Sequence, residues 1–146
     1  MTPSDEELAL ELERTLPADR GRVFGAFVDA DQVAQWWGPV GFTIPAIDFD
    51  PHVGRSYRIE MKPPEGDSFA LIGEFRSVEP PERLAFGFIW EQPDPDDVDM
   101  LVELSFDDRG ESTRLALRQR PFKTEARRQL HRDGWSETLG KLAAWL

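Results

Sequence analysis

The chain has 146 residues, no cysteine, and 28 acidic against 17 basic residues, for a formal net charge of -11. That length suits one domain with a substantial core, and the absence of cysteine excludes disulfides and thiolate chemistry. The negative field repels phosphate backbones, which argues against nucleic acid and anionic membrane surfaces as partners.

With 40% hydrophobic and 11% aromatic residues, the chain is not a disordered acidic polymer. No run approaches the ~20 apolar residues of a membrane span. The acidic start has no apolar stretch of the signal-peptide kind, so a cytoplasmic protein is expected.

In chain order, residues 1–7 are expected to be a flexible lead-in. Leu8, Leu10, Leu12 and, after a shift, Leu16 alternate with polar residues, the pattern of a half-buried strand that Pro17 ends. Asp19 can cap a short helix over 20–28, where Val23, Phe24, Phe27 and Val28 follow helical spacing. Asp29 can cap a second helix, with Gln32 three residues on as in a capping box. Gly38-Pro39 stops it, so Trp36 and Trp37 close that helix. Helical neighbours point about 100° apart, so the two indoles cannot both face one thin core stripe; a pocket, or a helix wedged between two surfaces, could use both.

From Gly41 to about Gln119 the pattern turns to β. Six strand-like runs (42–49, 56–61, 69–78, 83–90, 99–106 and 112–119) are separated by turn signals such as Asp50-Pro51, Pro80-Pro81 and Arg109-Gly110. Their short links imply an antiparallel meander. After Pro121 the period returns to that of a helix, with Leu130, Trp135, Leu139, Leu142 and Leu146 as its apolar stripe. The fold class is therefore α+β: a seven-stranded antiparallel sheet with two short helices after the first strand. Only the last helix, roughly 20 residues and about 30 Å long, can cover the sheet's inner face.

Alternation assigns that inner face. Tyr57, Ile59 and Met61 share one side of their strand, as do Leu84, Phe86, Phe88 and Trp90, then Met100, Val102, Leu104 and Phe106, and finally Thr113, Leu115, Leu117 and Gln119. One helix over a curved, aromatic-rich sheet leaves a space of the kind that binds ligands. Full packing of the same residues as core is the competing outcome.

These residues carry a resemblance. The stretch RVFGAFVDADQVAQWWGP resembles the first helical pair, ending in Trp-Trp-Gly-Pro, of the START-like (SRPBCC, helix-grip) superfamily, and most closely its branch of activator of heat shock protein 90 ATPase homologues. DFDPHVGRSYRIEM, GEFRSVEPPERLAFGFIW, ESTRLALRQRPF and HRDGWSETLGKLAAWL resemble that branch's later motifs in the same order. The resemblance covers about residues 8–146 and implies a curved sheet wrapped around the long C-terminal helix, with the helix pair plugging one end. Two positions depart from the pattern. Arg55 stands where the second glycine of a Gly-Gly pair is usual, and Gln119 where a histidine is often found. The fold hosts many functions and does not by itself name a reaction.

Searching for chemistry yields no catalytic set. His52 and His131 are the two histidines. The first reads as a surface turn residue; the second reads as a solvated first-turn residue or, alternatively, a polar group at a cavity rim. Without cysteine or a histidine cluster no metal site is expected. The acidic run 94–99 lacks the glycine and distal glutamate of a calcium loop and reads as a solvated hairpin. Glu60, Glu74 and Glu103 fall opposite the apolar face. The basic run 127–132 reads as the outer face of the helix. Tyr57, Thr113 and Gln119, with Arg76 or Arg118 at an edge, are the polar groups that could orient a ligand's head.

The expected function is binding of a small hydrophobic molecule between sheet and C-terminal helix, with no cofactor. Candidate cavity residues are Trp36, Trp37, Phe42, Tyr57, Met61 and Phe75, together with Phe88, Trp90, Met100, Val102, Gln119 and Trp135. Trp135 is expected to be structural, with Gly134 admitting a close neighbour, and Trp36 to lie nearer the cavity mouth. A module acting on heat shock protein 90, or a cyclase- or hydrolase-like enzyme using the same cavity, are the alternatives. A homodimer is left open.

Overall fold

The structure, a computed structural model, describes residues 8–146; the expected flexible lead-in lies outside the described residues. The elements run β1 (Leu8–Leu16), α1 (Arg20–Val28), α2 (Ala30–Trp36), β2 (Thr43–Phe49), β3 (Ser56–Lys62), β4 (Phe69–Glu79), β5 (Arg83–Trp90), β6 (Met100–Asp108), β7 (Thr113–Phe122) and α3 (Glu125–Trp145). The seven strands form one antiparallel sheet in the order β1-β7-β6-β5-β4-β3-β2. This is the helix-grip arrangement: a meander, closed by pairing the first strand with the last.

Alternation holds as the residue pattern requires. Tyr57, Ile59, Met61, Leu84, Phe86, Phe88, Met100, Val102, Leu104, Phe106, Leu115 and Leu117 are all buried. The edges follow from chemistry too. Pro45, which has no N–H for a ladder, sits in the edge strand β2 beside a register irregularity between Thr43 and Ala46. β7 runs on past its expected end to Phe122. It passes Pro121 because the β1–β7 register shifts between Leu8 and Leu10, where two steps on β1 span three on β7.

Both expected caps form. The Asp19 carboxylate accepts the Arg22 N–H at 3.0 Å, and that of Asp29 accepts the Asp31 N–H at 2.9 Å. Gln32 does not complete the reciprocal box; its side-chain amide donates to the Asp29 carboxylate at 3.1 Å. That bond, with the Asp31 N–H, holds the Asp29 carboxyl below the usual carboxylate range.

α3 buries His131, Trp135, Thr138, Leu139 and Leu142. This corrects the expected stripe at its first turn: Leu130 is 56% exposed and His131 takes the inward place. The helix comes closest to β1, β7 and α2. It closes one side of the sheet's inner face and stands off from the other, toward β3–β5.

Candidate functional site

The chain between α2 and β2 sets one wall of that opening. Gly38 adopts φ 90°, a left-handed turn in which a side chain would strain the backbone. A Cβ there would meet the Phe42 Cβ at 3.1 Å and the Met61 Cε at 3.3 Å. The turn brings Trp37, Pro39 and Phe42 beside a cleft of about 540 Å³, whose second wall is Met61, Phe69 to Leu71, Phe88 and Trp90. α3 closes it with Leu130, His131, Gly134, Trp135 and Thr138. Polar side chains enter from the loop after β5 (Gln92, Asp94, Asp97) and from α3 (Arg127, Asp133, Glu137).

The aromatic walls brace one another edge to face. Trp37 meets Trp135 at 5.4 Å, and Phe69 and Phe88 each meet Trp90 at 5.3 Å between ring centroids. The Trp90 indole N–H donates to His131 Nε2 at 3.2 Å, and His131 Nδ1 lies 2.8 Å from the Arg127 carbonyl. An indole can only donate, so Nε2 accepts and Nδ1 carries the proton. His131 is thus held neutral with both nitrogens engaged. Burial pulls its pKa below the usual value, against the Arg127 carbonyl bond and the Asp97 charge, which push it up.

Arg127 lies between two carboxylates. It donates to Asp94 at 2.8 Å, and its Nε stands 3.7 Å from Asp97 Oδ1. The Asp97 side chain is only 5% exposed; its Oδ2 accepts the Asp94 N–H at 2.9 Å, whereas Oδ1 has no hydrogen-bond partner. Lys141 bonds the Trp37 and Pro39 carbonyls at 3.2 and 3.3 Å, and burial lowers its pKa, against the pull of Glu137.

Of the residues chosen from sequence, Trp37, Phe42, Met61, Phe88, Trp90 and Trp135 converge on the cleft. The others are elsewhere. Trp36 does not stand at the mouth: fully buried, it donates to the Ala26 carbonyl at 3.2 Å and packs on Phe27 at 4.7 Å, inside the helix pair. Trp37, one position on, supplies the cleft-facing indole. Tyr57 and Phe75 line a separate void of about 10 Å³, and the Tyr57 hydroxyl donates to the Gly87 carbonyl. Burial pushes the Tyr57 pKa well up.

Val102 is fully buried in the core. Gln119 is engaged within the fold: its Oε1 accepts the Trp135 indole N–H at 2.7 Å, and its amide donates to Met100 Sδ at 3.4 Å. The polar inner positions are thus occupied by the fold itself, including Thr113, which bonds the Ala18 carbonyl at 2.8 Å. Arg76 is exposed, and Arg118 pairs with Glu11 and Glu103 away from the cleft. Gly134 admits no close neighbour, since a Cβ there would meet only Pro39 at 3.9 Å.

Sequence reasoning missed Asp97 and Arg127, and held His131 only as an alternative, a polar group at a cavity rim. For His131 a signal existed: positions 131, 135, 138, 139 and 142 form one helical face, and starting the stripe at Leu130 hid it. The run 94–99 was expected to be fully solvated, yet Asp97 is drawn in by Arg127, itself assigned to the outer helix face. That approach depends on a loop meeting a helix, which no local pattern records. His52 is an exposed turn residue beside Asp50, as expected.

Among the described residues no group of His, Asp and Glu could hold a metal ion, and no helix is long and apolar enough to cross a membrane. Residues 17–146 match the family model described as Activator of Hsp90 ATPase homolog 1-like protein. A crystal structure of a protein from Chromobacterium violaceum is similar with a TM-score of 0.85 and 26% identity, over 94% of this chain and 95% of that one. The AHSA1 protein from Silicibacter pomeroyi is 30% identical with a TM-score of 0.83, over 94% and 96% of the two chains. A Mesorhizobium loti protein at 20% identity, TM-score 0.78, shares the fold over 94% of this chain and 95% of its own. No curated protein matches the sequence. With nearly its whole described length matched in sequence pattern and in topology, the chain belongs to the Activator of Hsp90 ATPase homolog 1-like family of the START-like superfamily.

Proposed function

We propose that this protein binds a small hydrophobic molecule in the cleft between the sheet and α3. The observation that carries the reading is the cleft itself: about 540 Å³, walled by Trp37, Phe42, Met61, Phe88, Trp90 and Trp135. That volume falls within the roughly 300–1,000 Å³ typical of small-molecule sites. The reading is of a binding rather than a catalytic site. His131, the one cleft imidazole, has both nitrogens engaged, so it is not free to exchange a proton with a substrate. The carboxylates stand at the polar end of the cleft with no serine or cysteine nucleophile beside them among the described residues.

The test is titration with the neutral fluorescent probe N-phenylnaphthylamine, on the native chain and on Gly134→Leu. The leucine would project from α3 into the cleft at a position with room for it. The native chain is expected to bind, and Gly134→Leu to bind at least about tenfold more weakly, a loss of ~1.4 kcal/mol. Equal binding by both refutes the reading.

A protein partner is the second reading, favoured by exposed apolar residues close to the same opening: Val40 at 65%, Leu130 at 56% and Phe69 at 39%. The name of the family points to heat shock protein 90 as such a partner. Titration with that chaperone, with Val40→Ser and Leu130→Ser as weakened variants, separates this reading from the first.

A further inference from the structure

We infer that the ligand of this cleft is an apolar, ring-sized molecule carrying a positively charged amine, and that Asp97 is the group that receives it. The inference rests on the binding reading above and narrows it to a chemical class.

Three features support it. The first is Asp97, a carboxylate whose side chain is 5% exposed and whose Oδ1 has no hydrogen-bond donor, at the polar end of a cleft whose walls are mostly aromatic. A buried acceptor left without a donor costs free energy that an incoming N–H would recover. Arg127 meets this need only as a nearby charge: its Nε stands 3.7 Å from Oδ1, beyond hydrogen-bond distance, while its Nη2 is committed to Asp94.

The second is charge. One guanidinium lies between two carboxylates, so Asp94, Asp97 and Arg127 together carry a net negative charge. Asp133 and Glu137 also line the cleft, and His131 is neutral by its hydrogen bonds. Lys141, tied to the Trp37 and Pro39 carbonyls beside Glu137, offsets only part of this. A ligand carboxylate or phosphate would meet this field unfavourably; an ammonium would be drawn in.

The third is the wall. Trp37, Phe42, Phe69, Phe88, Trp90 and Trp135 present indole and phenyl rings to the same space. Ring faces attract cations as well as apolar groups, and more so where water is excluded. An aromatic box with one buried acceptor fits an amine on a hydrocarbon frame better than a fatty acid.

The experiment uses three ligands of one frame: naphthylmethanol, naphthylmethylamine and naphthylacetate. Each is titrated at neutral pH against the folded native chain, with tryptophan fluorescence as readout. The alcohol is expected to bind, the amine about tenfold more tightly, and the acid more weakly than the alcohol. In Asp97→Asn, which keeps the shape and removes the charge, the advantage of amine over alcohol is expected to vanish while alcohol binding stays. That variant separates a local site from the general attraction of an acidic protein for cations.

An acid that binds as tightly as the amine overturns the inference, on the native chain alone and whatever the variant's stability. An amine advantage that survives in a folded Asp97→Asn removes Asp97 from the role and overturns it too. If the alcohol does not bind at all, the binding reading itself fails and this inference falls with it.

Discussion

At the scale of single residues, the adjacent tryptophans divide one task into two. Trp36 is a core residue of the helix pair, and Trp37 belongs to the cleft wall, with its ring against Trp135. Trp36→Ala is expected to cost roughly 3–5 kcal/mol, the range for emptying a buried aromatic site, read as a shift in the urea midpoint. Trp37→Ala should weaken binding of the naphthyl probes as well; if Trp36→Ala is the variant that weakens probe binding with stability intact, the assignment is reversed. His131 gives a pH signature. Its native pKa lies below the usual value because burial against Trp90 disfavours the imidazolium, an effect the Arg127 carbonyl bond and the Asp97 charge oppose. The unfolded chain therefore binds more protons as pH falls through that region. The contribution of His131 is full above the unfolded value and is lost below it. The native chain should lose more stability than His131→Gln between neutral and mildly acid pH, with denaturant midpoints as the measure. Parallel curves for the two would contradict the buried, neutral assignment.

At the scale of elements, two glycines behave oppositely for reasons their surroundings supply. At Gly73 in β4 a Cβ would lie 2.0 Å from the Gly87 carbonyl oxygen and 2.7 Å from the Tyr57 ring. Gly73→Ala must therefore push β5 and β3 apart, and is expected to cost at least the ~1–3 kcal/mol of an overpacked site. At Gly134 in α3 a Cβ meets only Pro39 at 3.9 Å. Gly134→Ala should therefore raise stability by about 0.5–1 kcal/mol through helix propensity. Thermal melts of the two variants make the comparison; a destabilised Gly134→Ala would show a constraint on α3 beyond these contacts. Element pairing also explains the cleft. α3 packs close to β1, β7 and α2, and one rigid helix cannot also follow a sheet that curves away toward β3–β5.

At the scale of the whole molecule, no disulfide is available and no metal-ligating group occurs among the described residues, so burial and hydrogen bonding carry the fold. Chelator treatment is expected to leave the melting temperature unchanged. A fall that zinc or calcium restores would reveal a site this structure does not contain. A ligand of the proposed kind should raise stability by RT ln(1 + [L]/Kd), about 2.7 kcal/mol at one hundred times Kd. The melting temperature should therefore climb with naphthylmethylamine concentration.

What the sequence by itself determined is the architecture. Period-two runs placed all seven strands, Asp19, Asp29 and Gly38-Pro39 marked the helix ends, and the inner faces of β3, β5, β6 and β7 were legible from alternation. These are local properties: each follows from a side chain's relation to its own backbone. What only the tertiary structure decided is which inner residues meet empty space. Tyr57, Met100, Val102 and Phe88 look equivalent in the pattern, but Tyr57 is packed among Phe49, Phe75 and Phe86, Met100 takes the Gln119 amide and Val102 is fully buried, so only Phe88 of the four lines the cleft. Likewise Gln119 is absorbed by Trp135 and Met100, and Asp97 is buried by Arg127. Those outcomes depend on contacts between segments distant in sequence and on the tilt of one helix over a twisted sheet. Local pattern does not encode either, because alternation sets the face a residue points to and not what stands opposite it.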